Sequence, residues 1–242
     1  MFSVLKRKTR AFFADEAVVV EWYRGFAPAY DKIAWQTEIT LNAEAGRRGV
    51  ARGSGGYPRR FVRDVVERLA DAVFGRMLPR FAGSGRKKAA YAFGKRAVVK
   101  LALARNALLS DFAAYESARR LGLSCLPRLM SRSPGGWSML CEYAPPPDEK
   151  WFERKFGVPR GKACGLLGLL GTRESPSSDA EAAFAEKAGK RQGPAWASLG
   201  DIQVLASAVP GEAWADIACN DDNWGVAVRD GEEIPVLVDC GA

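Results

Sequence analysis

Over residues 59–75 the apolar side chains Phe61, Val62, Val65, Val66, Leu69, Val73 and Phe74 recur at i, i+3, i+4 and i+7. Arg63, Asp64, Glu67, Arg68 and Asp71 fall on the other face, so the period predicts an amphipathic helix. Gly75 is placed to end it, and Pro79 forbids its continuation. Upstream, the apolar positions of residues 12–39 mix three- and four-residue spacings, which predicts two or three short helices over residues 1–40. Residues 43–58, rich in glycine and arginine, read as a flexible linker or an arm ordered on binding.

Downstream the pattern turns to strands. Residues 89–93 and 97–101 are two β-type runs parted by Gly94-Lys95-Arg96, and residues 123–129 and 137–143 are two more, parted by Pro134-Gly135-Gly136. A helix over residues 108–121, carrying Leu109, Phe112, Tyr115, Ala118 and Leu121, lies between the pairs. Pro145-Pro146-Pro147 stops the sheet and makes a stiff connector. Helical patterns follow at 148–156, 161–170 and 179–190, with a shorter apolar segment at 199–209. Near the end, Asp230-Gly231 between two apolar runs predicts a hairpin over residues 226–238. The expected division is an N-terminal helical extension with its linker (1–58), a small antiparallel-sheet lobe with a preceding helix (59–146) and a compact helical lobe (147–242), an α+β architecture.

Composition narrows the chemistry. The 242-residue chain contains no histidine, which removes histidine general bases, Ser-His-Asp triads and histidine-bearing metal sites. Its five cysteines have no C-x-x-C spacing and suit small buried positions better than zinc or disulfides. No run of eighteen apolar residues is present, and the charged start has the wrong order for a signal peptide, so the cytoplasm is the expected location. The formal charge of +8 suits phosphate or an acidic partner, but without aromatic-interleaved basic repeats it does not point to nucleic acid.

Two stretches could carry phosphate chemistry. The hairpin brings its ends together, so Asn223 and Asp239 are expected close in space; an amide oxygen and a carboxylate form half of an octahedral magnesium site. An acidic surface turn and an edge strand fit the same residues. Gly83-Ser84-Gly85 is a glycine turn that lets backbone N–H groups approach a phosphate, and Lys100, ending the third strand, could reach the same phosphates. An ordinary hairpin with a solvated lysine has that pattern too. Glu116, sixteen positions after Lys100, and Asp111 lie on one helix about 500° of helical rotation apart for their five-residue spacing, so only one can face the lysine.

In this order, Gly83-Ser84-Gly85, Ala90-Tyr91, Val98-Val99-Lys100, Glu116, Leu126-Pro127, residues 140–144, Asp216, Asn223-Trp224-Gly225 and Val238-Asp239-Cys240-Gly241 resemble the compact protein-kinase-like proteins encoded by bacteriophages, relatives of the aminoglycoside phosphotransferases. The resemblance covers residues 80 onward and implies a two-lobed kinase-like fold using ATP and magnesium. It implies that Gly83, Ser84, Gly85 and Lys100 bind phosphates, that Glu116 orients Lys100, and that Glu142, Tyr143 and Ala144 hold adenine. Asn223 and Asp239 then hold magnesium, and Asp216 accepts the proton of the acceptor hydroxyl. The implied activity is serine/threonine phosphorylation of host proteins, in the host cytoplasm for a phage-encoded chain. A pseudokinase-like module that holds a host partner, and a small-molecule phosphotransferase, are the alternatives.

The chain departs from the kinase pattern at Ala218, which stands five residues before Asn223 where such loops carry their aspartate. Asp216 is seven before it and serves only if the loop is two residues longer. Cys240 replaces a bulkier residue, and Gly241 is followed by a single residue, which leaves no activation segment in this sequence.

Overall fold

Helix α1 (Glu16–Arg48) is one element of 33 residues where several short helices were expected. Its buried positions, Val19, Tyr23, Ala27, Tyr30, Ile33, Ala34, Thr37, Leu41, Glu44 and Ala45, keep a single three- and four-residue stripe through Pro28. Proline removes one backbone hydrogen bond, but continuous burial of the stripe outweighs that loss. Asp15 caps the start by accepting from the Ala17 N–H at 2.9 Å. Gly49, at φ 64°, closes the end with bonds back to Ala45 and Gly46. The stretch read as a linker is therefore helical as far as Arg48.

The structure, a computed structural model, describes residues 15–53, 56–74, 80–84, 87–172, 176–209 and 214–240. These fall into two units: residues 1–109 with 128–143, and residues 110–127 with 144–242. The chain is mixed α/β, with a five-stranded antiparallel sheet in the first unit and helices around a two-stranded hairpin in the second.

In the first unit, β1 (Arg80–Ser84), β2 (Lys88–Phe93), β3 (Ala97–Ala102), β4 (Leu129–Arg132) and β5 (Ser138–Glu142) pair in the order β1-β2-β3-β5-β4. Helix α2 (Arg59–Phe74) matches the period read from the sequence; the residues expected to stop it, Gly75 and Pro79, lie outside the described residues. One sheet face, with Ala89, Tyr91, Phe93, Ala97, Val99, Leu101 and Leu140, joins the buried stripes of α1 and α2 in a common core. Polar ties fix α1 on the sheet: the Tyr23 hydroxyl meets Ser138 Oγ at 2.8 Å, and Asp31 accepts from the N–H groups of Gly135 and Trp137. The described part of the segment expected as an N-terminal extension, through α1, thus contributes to the first unit's core.

The second unit contains α3 (Leu109–Leu121, from Ser110 onward), α4 (Trp151–Phe156), α5 (Arg160–Leu170), α6 (Asp179–Lys190), α7 (Pro194–Ala208), α8 (Trp214–Cys219), a 3-10 turn (Asp221–Asn223) and the hairpin β6 (Trp224–Arg229) and β7 (Glu232–Leu237). Asp230 and Gly231, at φ 51° and 83°, make the hairpin turn. The strand expected over residues 123–129 begins only at Leu129, because the segment before it is committed elsewhere. The Ser124 N–H and hydroxyl donate to buried Asp201 at 2.6 and 2.8 Å, and the Cys125 carbonyl accepts from the Leu237 N–H at 2.8 Å.

Candidate functional site

Within the second unit, the register that pairs Trp224 with Leu237 places Asn223 opposite Val238. The Val238 N–H donates to the Asn223 carbonyl at 2.7 Å, so the asparagine sits beside the residue preceding Asp239. The Asn223 side-chain Nδ2 donates to the Ile217 carbonyl at 3.0 Å. Ile217 follows Asp216, so the helical turn of α8 and the 3-10 turn absorb the seven-residue separation and bring Asn223 back to the chain next to Asp216. With Nδ2 committed to Ile217, the side-chain oxygen is the atom left to act as acceptor or ligand.

Asp216 is exposed in the first turn of α8, and Asp239 is half-buried beyond β7. Ala218 is fully buried, and its carbonyl accepts from the Trp224 indole at 2.7 Å. Gly225 lies in β6, two residues after Asn223, and a Cβ there would sit 2.7 Å from the Ala144 carbonyl, the Ala144 Cβ and a Val238 methyl. The hairpin approaches residue 144 more closely than any side chain allows.

In the first unit Lys100 lies within β3 rather than at its end, and it is 7% exposed. Its register partners are Ala90 on β2 and Met139 on β5, so it points to the sheet face opposite the α1 core. Gly83 and Ser84 belong to β1, where the register shifts between Phe81 and Gly83, and the space above Gly83 is open. Gly85 lies outside the described residues. The N–H groups of Glu142 and Tyr143 donate to the carbonyls of Arg128 and Arg96 at 2.9 and 2.8 Å, and the chain passes from the first unit to the second between Tyr143 and Ala144.

Helix α3 separates the two acids that the sequence left as alternatives. Glu116 is exposed, whereas Asp111 shares the buried stripe with Phe112, Ala114, Tyr115 and Ala118. Asp111 is fully buried and accepts from the Cys240 N–H at 3.1 Å, which ties the start of α3 to the residue after Asp239. This role was not anticipated, although a carboxylate at i−4 from Tyr115 on an apolar stripe was the available signal. Among the described residues Lys88, 7% exposed on β2, is a second buried cation, which the sequence pattern did not single out.

Asn223 and Asp239 offer hard oxygen donors, the kind magnesium prefers, and two protein ligands suit an ion whose other positions go to phosphate and water. Among the described residues no group of three or more His, Cys, Asp or Glu is placed to hold a metal by itself.

No protein-family model and no curated protein matches the chain. It is similar to the solved streptomycin-ATP-APH(2")-IIa ternary complex over 74% of this chain and 70% of that one, at 16% identity and a TM-score of 0.33. At that level neither fold nor ligand carries over from one to the other. Among the described residues no helix is long and apolar enough to cross a membrane.

Proposed function

We propose that this protein is an ATP-dependent phosphotransferase of the protein-kinase-like type, transferring the γ-phosphoryl group to a serine or threonine hydroxyl of a partner protein. The reading rests on one observation: Asn223 is bonded at once to the residue after Asp216, at 3.0 Å, and to the residue before Asp239, at 2.7 Å. These two bonds draw the chain beside Asp216 and the chain beside Asp239 to Asn223, and that supports the reading. Asn223 Oδ1 and the Asp239 carboxylate hold magnesium, which when bound neutralises phosphate charge. Asp216, exposed, accepts the proton of the acceptor hydroxyl. Lys100, on the face of β3 opposite the α1 core, is the phosphate-binding cation.

The adenine contact falls on Ala144. The two preceding N–H groups serve the sheet, while no described hydrogen bond uses the Ala144 N–H. Glu116, exposed on α3, is assigned no more than an orienting role.

A second reading, a pseudokinase-like module that holds a host partner without transfer, draws on Ala218. Ala218, where kinase loops carry their aspartate, has no acid to offer and is fully buried. Melting of the purified protein with ATP, with and without magnesium, followed by radiolabelled transfer, separates the readings. Ligand at 100 dissociation constants adds about 2.7 kcal/mol of stability. A magnesium-dependent rise, with transfer lost in Lys100→Ala and Asp239→Ala, supports the phosphotransferase. A rise without transfer to protein or aminoglycoside acceptors supports the binding module, and no rise refutes nucleotide binding.

A further inference from the structure

We infer that Asp111 is a positioning residue for the magnesium ligand Asp239, acting through the backbone N–H of Cys240; the inference rests on the metal-binding reading above. The β6–β7 register ends at Leu237, two residues before Asp239. Two bonds carry order past that end. The Val238 N–H donates to the Asn223 carbonyl at 2.7 Å, and the Cys240 N–H donates to Asp111 Oδ1 at 3.1 Å. Asp239 therefore sits between two anchors, one on each neighbouring residue. Backbone freedom lies in φ and ψ alone, so holding both neighbours fixes the direction in which the Asp239 side chain leaves the chain. With the first anchor only, the residue is free to swing about Val238.

The second anchor is itself firmly placed. Asp111 is fully buried in the first turn of α3, on one stripe with Phe112, Ala114, Tyr115 and Ala118. Close packing of that kind holds a side chain in one rotamer. Cys240 is fully buried as well, so water does not stand in for the carboxylate if it is removed. An aspartate in the first turn of a helix ordinarily serves that helix's own N–H groups and dipole. Asp111 instead directs Oδ1 to a residue 129 positions away. Asp239, half-buried, stands where the chain meets solvent, while the residue after it is held inside. A ligating group has to be held to within about 0.5 Å of its working position, and the residues that orient metal ligands matter for that reason.

Binding of Mn2+, a spectroscopic substitute for magnesium, is measured by electron paramagnetic resonance in the presence of a saturating non-hydrolysable ATP analogue. The proteins compared are the wild type, Asp239→Ala, Asp111→Ala, Asp111→Val and Asp111→Asn, with urea unfolding to verify the fold of each. Asp111→Ala removes the acceptor; Asp111→Val removes it while filling the space, and serves if the alanine variant does not fold. Either is expected to weaken Mn2+ about 10- to 100-fold, with the metal-free affinity for the analogue unchanged. Asp111→Asn keeps an oxygen that accepts from the Cys240 N–H and is expected to restore most of the metal affinity. Wild-type metal affinity in a folded Asp111→Ala or Asp111→Val, while Asp239→Ala has lost it, overturns the role of Asp111 alone. Asparagine as weak as alanine overturns it too, because the charge and not the bond would then be what matters. Failure of the wild type to bind Mn2+ with the analogue overturns the metal site itself, and this inference with it.

Discussion

Adding one methyl group at Gly225 tests how the hairpin is seated. A Cβ there would lie 2.7 Å from the Ala144 carbonyl, the Ala144 Cβ and a Val238 methyl, where 3.4 Å or more is ordinary contact. Something must retreat by about 0.7 Å, the difference of these distances. The Ala144 carbonyl cannot do so freely, because the next carbonyl, of Pro145, accepts from the Val226 N–H at 2.8 Å. Overpacking costs about 1–3 kcal/mol and a stretched backbone bond about 1 kcal/mol more. Gly225→Ala is therefore expected to destabilise by roughly 2–4 kcal/mol, a fall in Tm of roughly 4–16 °C for a chain this long. The same substitution at Gly25, inside α1 with nothing within 4 Å of the added carbon, should stabilise by about 0.5–1 kcal/mol. Urea unfolding of both variants checks the pair. If Gly225→Ala unfolds within about 0.5 kcal/mol of the wild type, below the overpacking range, the close approach of β6 to residue 144 is refuted, and the placement of Asn223 beside it loses its support.

Other outcomes follow from buried and charged groups. Among the four cysteines whose burial is described, exposed Cys219 should label first with a thiol reagent on the native protein, while buried Cys125, Cys141 and Cys240 react only on unfolding. Burial pushes the Cys125 thiol up to about 12, so it stays protonated and unreactive at neutral pH; mass mapping that finds Cys125 labelled early would contradict its placement. Burial of Glu44 raises its pKa, but Arg47, Arg48 and Arg68 around it prevail and hold it below its ordinary 4.5. A depressed carboxylate adds stability above its unfolded pKa and loses it as pH falls through the folded value. Glu44→Gln should thus be less stable than the wild type at pH 7, with the gap closing toward about pH 3, below the unperturbed range; a gap constant with pH would refute the arginine cage. Tyr23→Phe strands the buried Ser138 hydroxyl and should cost about 1–2 kcal/mol, measured by urea unfolding, and a neutral result would deny that this bond fastens α1 to the sheet.

The local elements were largely legible in the sequence because they depend on short-range periodicity and turn chemistry. Helix α2, helix α6, strands β2 and β3 and the Asp230-Gly231 turn follow from spacing and from residues that tolerate positive φ. The proximity of Asn223 to the residue before Asp239 follows too, since a two-residue hairpin fixes its own register. Tertiary packing decided the rest. Helix α1 runs unbroken through Pro28 because its stripe meets the sheet, an energy that no local window contains. The segment around Ser124 and Cys125 leaves the sheet because Asp201 and Leu237, some 77 and 112 residues further along (201 − 124 and 237 − 125), claim its hydrogen-bonding groups. The spacing of Asp111 and Glu116 said only that the two cannot both face one lysine; that Asp111 is the buried one, bonded to the Cys240 N–H, was decided by packing of the α3 stripe. The burial of Lys88 was likewise invisible, because a lysine at the start of a strand reads as solvent-exposed until the sheet face it occupies is covered.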